Sequence, residues 1–135
     1  MTDFRILTDD VWASPQLTPA DVSEAADRGV TLIVNNRPEG EQPDQPTGAE
    51  IEAAAREAGV AYAAVPIQGR PTPDQAAQVG DLLARNSGKA LMYCRSGMRS
   101  TAAWAMAATA SGAISADDAR ALAASAGYDL SGLPL

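Results

Sequence analysis

Short apolar runs alternate with capped helical segments along this sequence, which predicts an α/β domain with a mostly parallel central sheet flanked by helices. Two observations carry that expectation. Val30–Asn35, Val60–Pro66 and Lys89–Tyr93 have the length and apolar character of strands buried in a sheet. Between and after them stand helix-start signals at Thr18-Pro19, Thr47, Thr72-Pro73 and Ser115, with Gly29, Gly59 and Gly127 at three of the matching ends.

The elements follow in order. Phe4 to Trp12 reads as a short antiparallel pair or edge ribbon, with Thr8, Asp9 and Asp10 at its turn. A helix capped by Thr18, with Pro19 first, runs to about Arg28, and strand Val30–Asn35 follows. The polar stretch Asn36 to Pro46 reads as a loop, and with Ser131–Leu135 it is the part expected to be mobile. A second helix runs from Thr47 to Gly59, then strand Val60–Pro66, then a helix from Thr72 to about Asn86. Strand Lys89–Tyr93, an alanine-rich helix Arg99–Ser111 and a last helix from Ser115 complete the rhythm. At 135 residues, with no internal repeat, the chain is expected to form a single domain.

Composition removes several classes of function. A net charge of −7, with no basic stripe, argues against nucleic-acid partners. No run of apolar residues is long enough for a membrane span, and Met1–Asp10 has no secretory apolar core, so a soluble cytoplasmic protein is expected. One Cys and no His exclude a disulfide framework, Cys/His zinc sites and imidazole-dependent triads. Neither a Gly-x-Gly-x-x-Gly nor a P-loop is present, so no cofactor or metal is expected.

The chemistry concentrates where the strand ending at Tyr93 turns into a helix through Cys94-Arg95-Ser96-Gly97-Met98-Arg99. Ligands of open α/β sheets bind beyond the carboxyl ends of strands, which is where Cys94 stands. Backbone amides of Arg95 to Arg99 curling round the sulfur, Gly97 in a left-handed conformation, and a helix N-terminus together make an anion nest that favours thiolate. Arg99 can offer a guanidinium fork to an oxyanion, while Arg95 points outward to attract charged substrate. Ser96 donates to substrate or tightens the turn, Met98 lies in the same loop, and Ser100 and Thr101 either donate toward the thiolate or cap the helix. Arg37, after a buried strand, either borders the pocket or pairs on the surface with the nearby Glu39 and Glu41.

Each of these residues also has a plainer reading. A lone buried cysteine is usually a small apolar residue, and it is the surrounding Gly and Arg pair that shift the balance for Cys94. A cation at a helix start is electrostatically misplaced unless an anion joins it, which favours a binding role for Arg99. Trp104 and Met106 read as core, and Tyr93 as packing beneath the loop.

The loop Cys94-Arg95-Ser96-Gly97-Met98-Arg99-Ser100 resembles the active-site loop of rhodanese-type sulfurtransferases. From the edge ribbon through Asn35-Asn36-Arg37-Pro38 to the last helix, the chain resembles the bacterial DUF442 family, described as the phosphatase-like domain of β-lactamase-hydrolase-like proteins. That resemblance implies the dual-specificity tyrosine phosphatase fold and a cysteine nucleophile taking a small anionic substrate, either a sulfane-sulfur donor or a phosphoester. It also implies an aspartic acid for the leaving group, for which Asp74 is the best placed residue, although an acid in a first helical turn equally complements the helix dipole. Relatives are often fused to a metallo-β-lactamase-like domain, which implies a persulfide-metabolising partner.

Phosphatases of that type place five residues between Cys and Arg, whereas four stand between Cys94 and Arg99. The shorter nest suits a single terminal sulfur, so the sequence expectation is sulfur transfer through a persulfide on Cys94. A phosphatase with a phosphocysteine intermediate is the alternative, and a non-enzymatic persulfide carrier or redox sensor is another.

Overall fold

The computed structural model describes residues 2–135, so Met1 of the N-terminal stretch lies outside the described residues. Five strands form one sheet: β1 (Arg5–Thr8), β2 (Val11–Ser14), β3 (Val30–Asn35), β4 (Ala61–Ala64) and β5 (Lys89–Tyr93). Their order across the sheet is β1-β2-β5-β3-β4; β1 pairs antiparallel with β2 and the other three pairings are parallel. The helices are α1 (Pro19–Asp27), α2 (Gly48–Glu57), α3 (Pro73–Arg85), α4 (Met98–Ala110) and α5 (Ala116–Ser125).

The capping signals in the sequence correspond to real caps. Thr18, Thr47 and Thr72 each accept the N–H of the residue three positions on, and the side chains of Asp21, Glu50 and Gln75 reach back to the cap N–H. Ser115 caps α5 from one side only. α4 is the exception, because Gly97 precedes it at φ +96° with no side-chain cap. That helix therefore starts straight out of the Cys94 loop.

Alternation along the central strands feeds two cores. Leu32, Val34, Ala90 and Met92 face the layer that contains Val79, Ala103, Trp104, Ala119 and Tyr128. Ile33, Leu91 and Tyr93 face the opposite layer with Leu17, Val22, Ile51 and Ala55. Burial on both faces is what the continuous apolar runs of β3 and β5 reflect. Trp104 is core as expected, whereas Met106, two residues along α4, is only half-buried.

Two segments differ from the sequence expectation. The strand expected over Val60–Pro66 is regular only over Ala61–Ala64, because β4 is the sheet edge and no strand lies beyond it. Pairing nonetheless continues irregularly, with Val65 N–H on Asn35 O and Ile67 N–H on Asn36 O, both at 2.9 Å. The Asn36–Pro46 loop is anchored rather than loose. Asn36 is fully buried and Arg37 is 3 % exposed, Gln45 bonds the backbone of Pro38, Glu41 and Gln42, and Glu39 accepts the Gly48 N–H. Its polar side chains satisfy its own backbone, an arrangement that composition does not reveal.

Asn36 joins three elements at the carboxyl edge of the sheet. Its N–H goes to Tyr93 O at 2.8 Å, its amide nitrogen to Val65 O at 3.0 Å, and its amide oxygen accepts from Ser100 Oγ at 2.7 Å. Replacing Asn36 by Ala strands a buried carbonyl and a buried hydroxyl. We predict a loss of about 2 kcal/mol in urea unfolding; an unchanged midpoint would mean these bonds contribute nothing net.

Candidate active site

β5 ends at Tyr93 and delivers Cys94 to the carboxyl edge of the sheet, between the ends of β2 and β3. Tyr93 is buried at 1 % exposure in the core layer with Leu17 and Ile51, and burial pushes its hydroxyl well above the usual range. Cys94 has no exposed surface. The Gly97 N–H is donated to Cys94 Sγ at 3.1 Å, so one amide of the expected nest points at the sulfur.

The remaining loop groups divide between the loop's own structure and its surroundings. Ser96 Oγ accepts the Met98 N–H at 3.3 Å, which tightens the turn. Thr101 Oγ1 donates to Gly97 O at 2.8 Å, and Ser100 Oγ donates to Asn36, so neither hydroxyl is directed at the sulfur. Ser100 is therefore a buried strut between α4 and the end of β3, not a group facing substrate. Arg95 is exposed as expected, its carbonyl accepting the Gln16 N–H, and Met98 is 37 % exposed at the rim.

Arg99 is held by two partners. Its Nη1 donates to Glu41 Oε2 at 2.8 Å and to Ile67 O at 2.7 Å, and its Nη2 to Glu41 Oε1 at 2.9 Å. These bonds leave Nε–H and one Nη2–H without a partner among the described residues. The hydrogen bonds that it donates to Glu41 hold the guanidinium more firmly protonated, and an ionised Cys94 would add to this. Arg99 thus keeps two donors to spare within electrostatic reach of the sulfur.

Arg37 stands behind this fork. It donates to Glu41 at 2.9 Å, Gln16 at 3.0 Å and Gln42 at 2.9 Å, one bond from each of its three nitrogens. The surface pairing that the sequence left open is a pairing with Glu41 by a buried guanidinium, which holds the carboxylate that holds Arg99. Sequence reasoning placed Glu41 beside Arg37 but missed its reach to Arg99. Glu41 falls four positions after Arg37 in an irregular loop, and only the folded path of that loop brings it across to α4.

Asp74 is exposed in the first turn of α3, where Thr72 and Gln75 do the capping, and it bonds no residue of the loop. It lies three residues beyond Pro71, which lines a cavity of about 250 Å³ together with Met98, Arg99, Arg70, Asp129 and Leu130. The Ser131 N–H holds the Asp129 carboxyl below its usual range, which makes Asp129 a poor proton donor. A second groove of about 720 Å³ between α3 and α4 contains no residue of the Cys94 loop and only Asp81 as an ionisable group. No group of acidic, Cys or His side chains among the described residues could hold a metal, and no helix is long and apolar enough to cross a membrane.

A Cys–Arg loop between a central parallel strand and a helix N-terminus, on this sheet order, is the arrangement of a tyrosine-phosphatase-like fold. Residues 3–113 match the family described as the phosphatase-like domain of beta-lactamase hydrolase-like protein, and the chain belongs to that family. A beta-lactamase hydrolase-like protein of Xylella fastidiosa is 37 % identical over 106 residues, covering 78 % of this chain and 25 % of the relative. The chain therefore spans about a quarter of the length of that relative. A putative phosphatase from Neisseria meningitidis superposes with a TM-score of 0.86 at 28 % identity, covering 98 % of this chain and 94 % of that one. Kinase associated phosphatase, with its catalytic-site cysteine replaced by serine, shares the fold at a TM-score of 0.68 and 18 % identity, covering 90 % and 80 % of the two chains.

The pH response of Glu41 tests the fork. Arg99, and after it Arg37, lower the Glu41 carboxyl from 4.5 to about 2. A depressed carboxyl contributes stability that is fully present above the unfolded value and is lost as pH falls through the folded one. The side chain is 27 % exposed, so solvent screening keeps the contribution to about 1 kcal/mol. We predict that the stability gap between wild type and Glu41→Gln is constant from about pH 7 to 5 and closes between 4.5 and about 2 in urea titrations. A gap that widens on acidification would contradict the assignment.

Proposed function

We propose that this domain hydrolyses phosphomonoesters through a phosphocysteine on Cys94. The observation that carries this reading is the spare Nε–Nη2 edge of Arg99 within electrostatic reach of Cys94, whose sulfur already receives the Gly97 N–H. A planar edge with two parallel N–H groups matches two oxygens of a phosphoryl group. The fold and the family, both phosphatase-like, support the same chemistry.

In the first step Cys94 Sγ attacks phosphorus, the bond to the leaving oxygen breaks, and that oxygen takes a proton. Arg99 and the loop amides of Arg95 and Ser96, which the turn does not engage, carry the charge on the phosphoryl oxygens. In the second step water attacks phosphorus, releasing inorganic phosphate and the thiolate. Because Cys94 has no exposed surface, substrate entry requires the side chains above it to shift. Asp74 is the candidate proton donor for the leaving oxygen, its helix start standing just beyond the cavity wall at Pro71.

Sulfur transfer is the second reading, and the observation behind it is the spacing of four residues between Cys94 and Arg99. There the Cys94 thiolate takes a sulfane sulfur from a donor such as thiosulfate, which leaves as sulfite, and a thiol acceptor removes it. A persulfide-handling partner belongs to this reading. It draws support from the much longer relatives named beta-lactamase hydrolase-like protein.

Two measurements separate the readings. We predict vanadate-sensitive hydrolysis of aryl phosphates that falls to background in Cys94→Ser and by about 10²-fold in Arg99→Lys, which keeps the charge but loses the fork. Intact mass after incubation with thiosulfate is predicted to show no added sulfur. A gain of one sulfur on wild type only, with no hydrolysis, would transfer the assignment to sulfur transfer. The proton-donor role of Asp74 predicts that Asp74→Asn slows alkyl phosphates far more than nitrophenyl phosphate, whose leaving group needs no proton; equal losses would remove Asp74 from the mechanism.

A further inference from the structure

Residues 114–135 lie beyond the stretch that the family match covers, yet one of them touches the reactive loop. Tyr128 follows α5 directly after Gly127, is 5 % exposed, and donates its hydroxyl to the Ser96 carbonyl at 2.9 Å. The Ser96 carbonyl and the Gly97 N–H belong to one peptide unit. That unit is trans and close to planar, so its oxygen and hydrogen point in opposite directions. Its hydrogen is the one donated to Cys94 Sγ at 3.1 Å. The Tyr128 hydroxyl and the reactive sulfur are therefore partners of the two ends of a single peptide plane.

This plane is one that needs holding. Gly97 at φ +96° has no side chain to restrict it, and glycine reaches alternative orientations at small steric cost. Its other neighbours are already engaged: Thr101 holds the next carbonyl, that of Gly97, and Ser96 Oγ the Met98 N–H. A Cβ built on Gly97 would collide with the Tyr128 hydroxyl, so the close approach and the glycine require each other. Turning the Gly97 N–H away from the sulfur breaks both hydrogen bonds at once.

We propose that Tyr128 is a positioning residue, whose hydroxyl locks the Ser96–Gly97 peptide with its N–H on Cys94 and so stabilises the thiolate. The proposal rests on the reading of Cys94 as a nucleophilic thiolate and names the group outside the loop that maintains it. Tyr128 is itself well fixed. Its N–H bonds Ala123 O at 2.8 Å, and the Arg5 guanidinium lies 5.0 Å from the ring centroid while donating to Ala126 O at 3.3 Å. Burial pushes the hydroxyl up to about 12 against the opposing pull of Arg5, so it keeps its proton and remains a donor near neutral pH.

Tyr128→Phe keeps the ring and the Arg5 contact and removes only the donor. The measurement is the pH titration of thiolate ultraviolet absorbance in the full chain, with Cys94→Ser as the blank; Cys94 is the only cysteine, so the signal has one source. The midpoint is expected to move up by about one pH unit in Tyr128→Phe, and iodoacetamide labelling below that midpoint to slow about tenfold. Leu122→Ala, which loosens α5 without touching the hydrogen bond, is expected to leave the midpoint in place. Equal midpoints in wild type and Tyr128→Phe, or the same rise in Leu122→Ala, would overturn the role of Tyr128. No phosphoester enters the assay, so an absence of phosphatase activity would not imitate that result. A wild-type protein with no thiolate signal at all would sink the nucleophile and the positioning role together.

Discussion

A guanidinium in the first turn of a helix stands at the wrong end of the macrodipole, and the organisation of this site follows from how Arg99 is tolerated there. Glu41 supplies the compensating negative charge through a two-pronged hydrogen bond, and Arg37, buried behind it, fixes the carboxylate. The result is a relay of charge, cation to anion to cation, that ends in an arginine with a spare donor edge within electrostatic reach of Cys94. Arg99 does not have to be ordered when an anion arrives, because its rotamer is already set by Glu41 and the Ile67 carbonyl.

The sheet makes this arrangement possible. Parallel pairing brings the carboxyl ends of β2, β3 and β5 to one edge, and the segments that follow β3, β4 and β5 supply Glu41, the Ile67 carbonyl and Cys94 respectively. Asn36 ties the same three neighbourhoods through its backbone and its amide. The rigid elements carry the geometry and the loops carry the chemistry, which is the usual division of labour in such sheets. Here the long loop after β3 is also structural, because its buried arginine has to be neutralised.

What the sequence disclosed depended on whether the signal was local. Helix starts at Thr18, Thr47, Thr72 and Ser115 are written within four residues and were readable to the residue, as were β3 and β5 with their uninterrupted apolar runs. The Cys94–Arg99 loop was readable because Cys, Gly and Arg fall within six consecutive positions. The contacts of Glu41 with Arg99 and of Tyr128 with Ser96 were not, since these residues reach the loop from 53 residues before Cys94 and 34 after it; only the Arg37–Glu41 pairing was local enough to read. Ser100 looked like a substrate donor because proximity in sequence does not tell which side of α4 faces the sulfur. The preference for sulfur transfer came from counting residues between Cys and Arg, whereas the spare edge of Arg99, visible only in three dimensions, favours a phosphoryl group.

The central claim is that phosphorus becomes bonded to Cys94 during turnover. Rapid mixing with an aryl phosphate, followed by quenching and mass analysis of the peptide carrying Cys94, tests it directly. The account predicts a transient gain of one phosphoryl group on that peptide, formed no more slowly than turnover. Hydrolysis that proceeds at full rate while the Cys94 peptide never carries phosphate would contradict it.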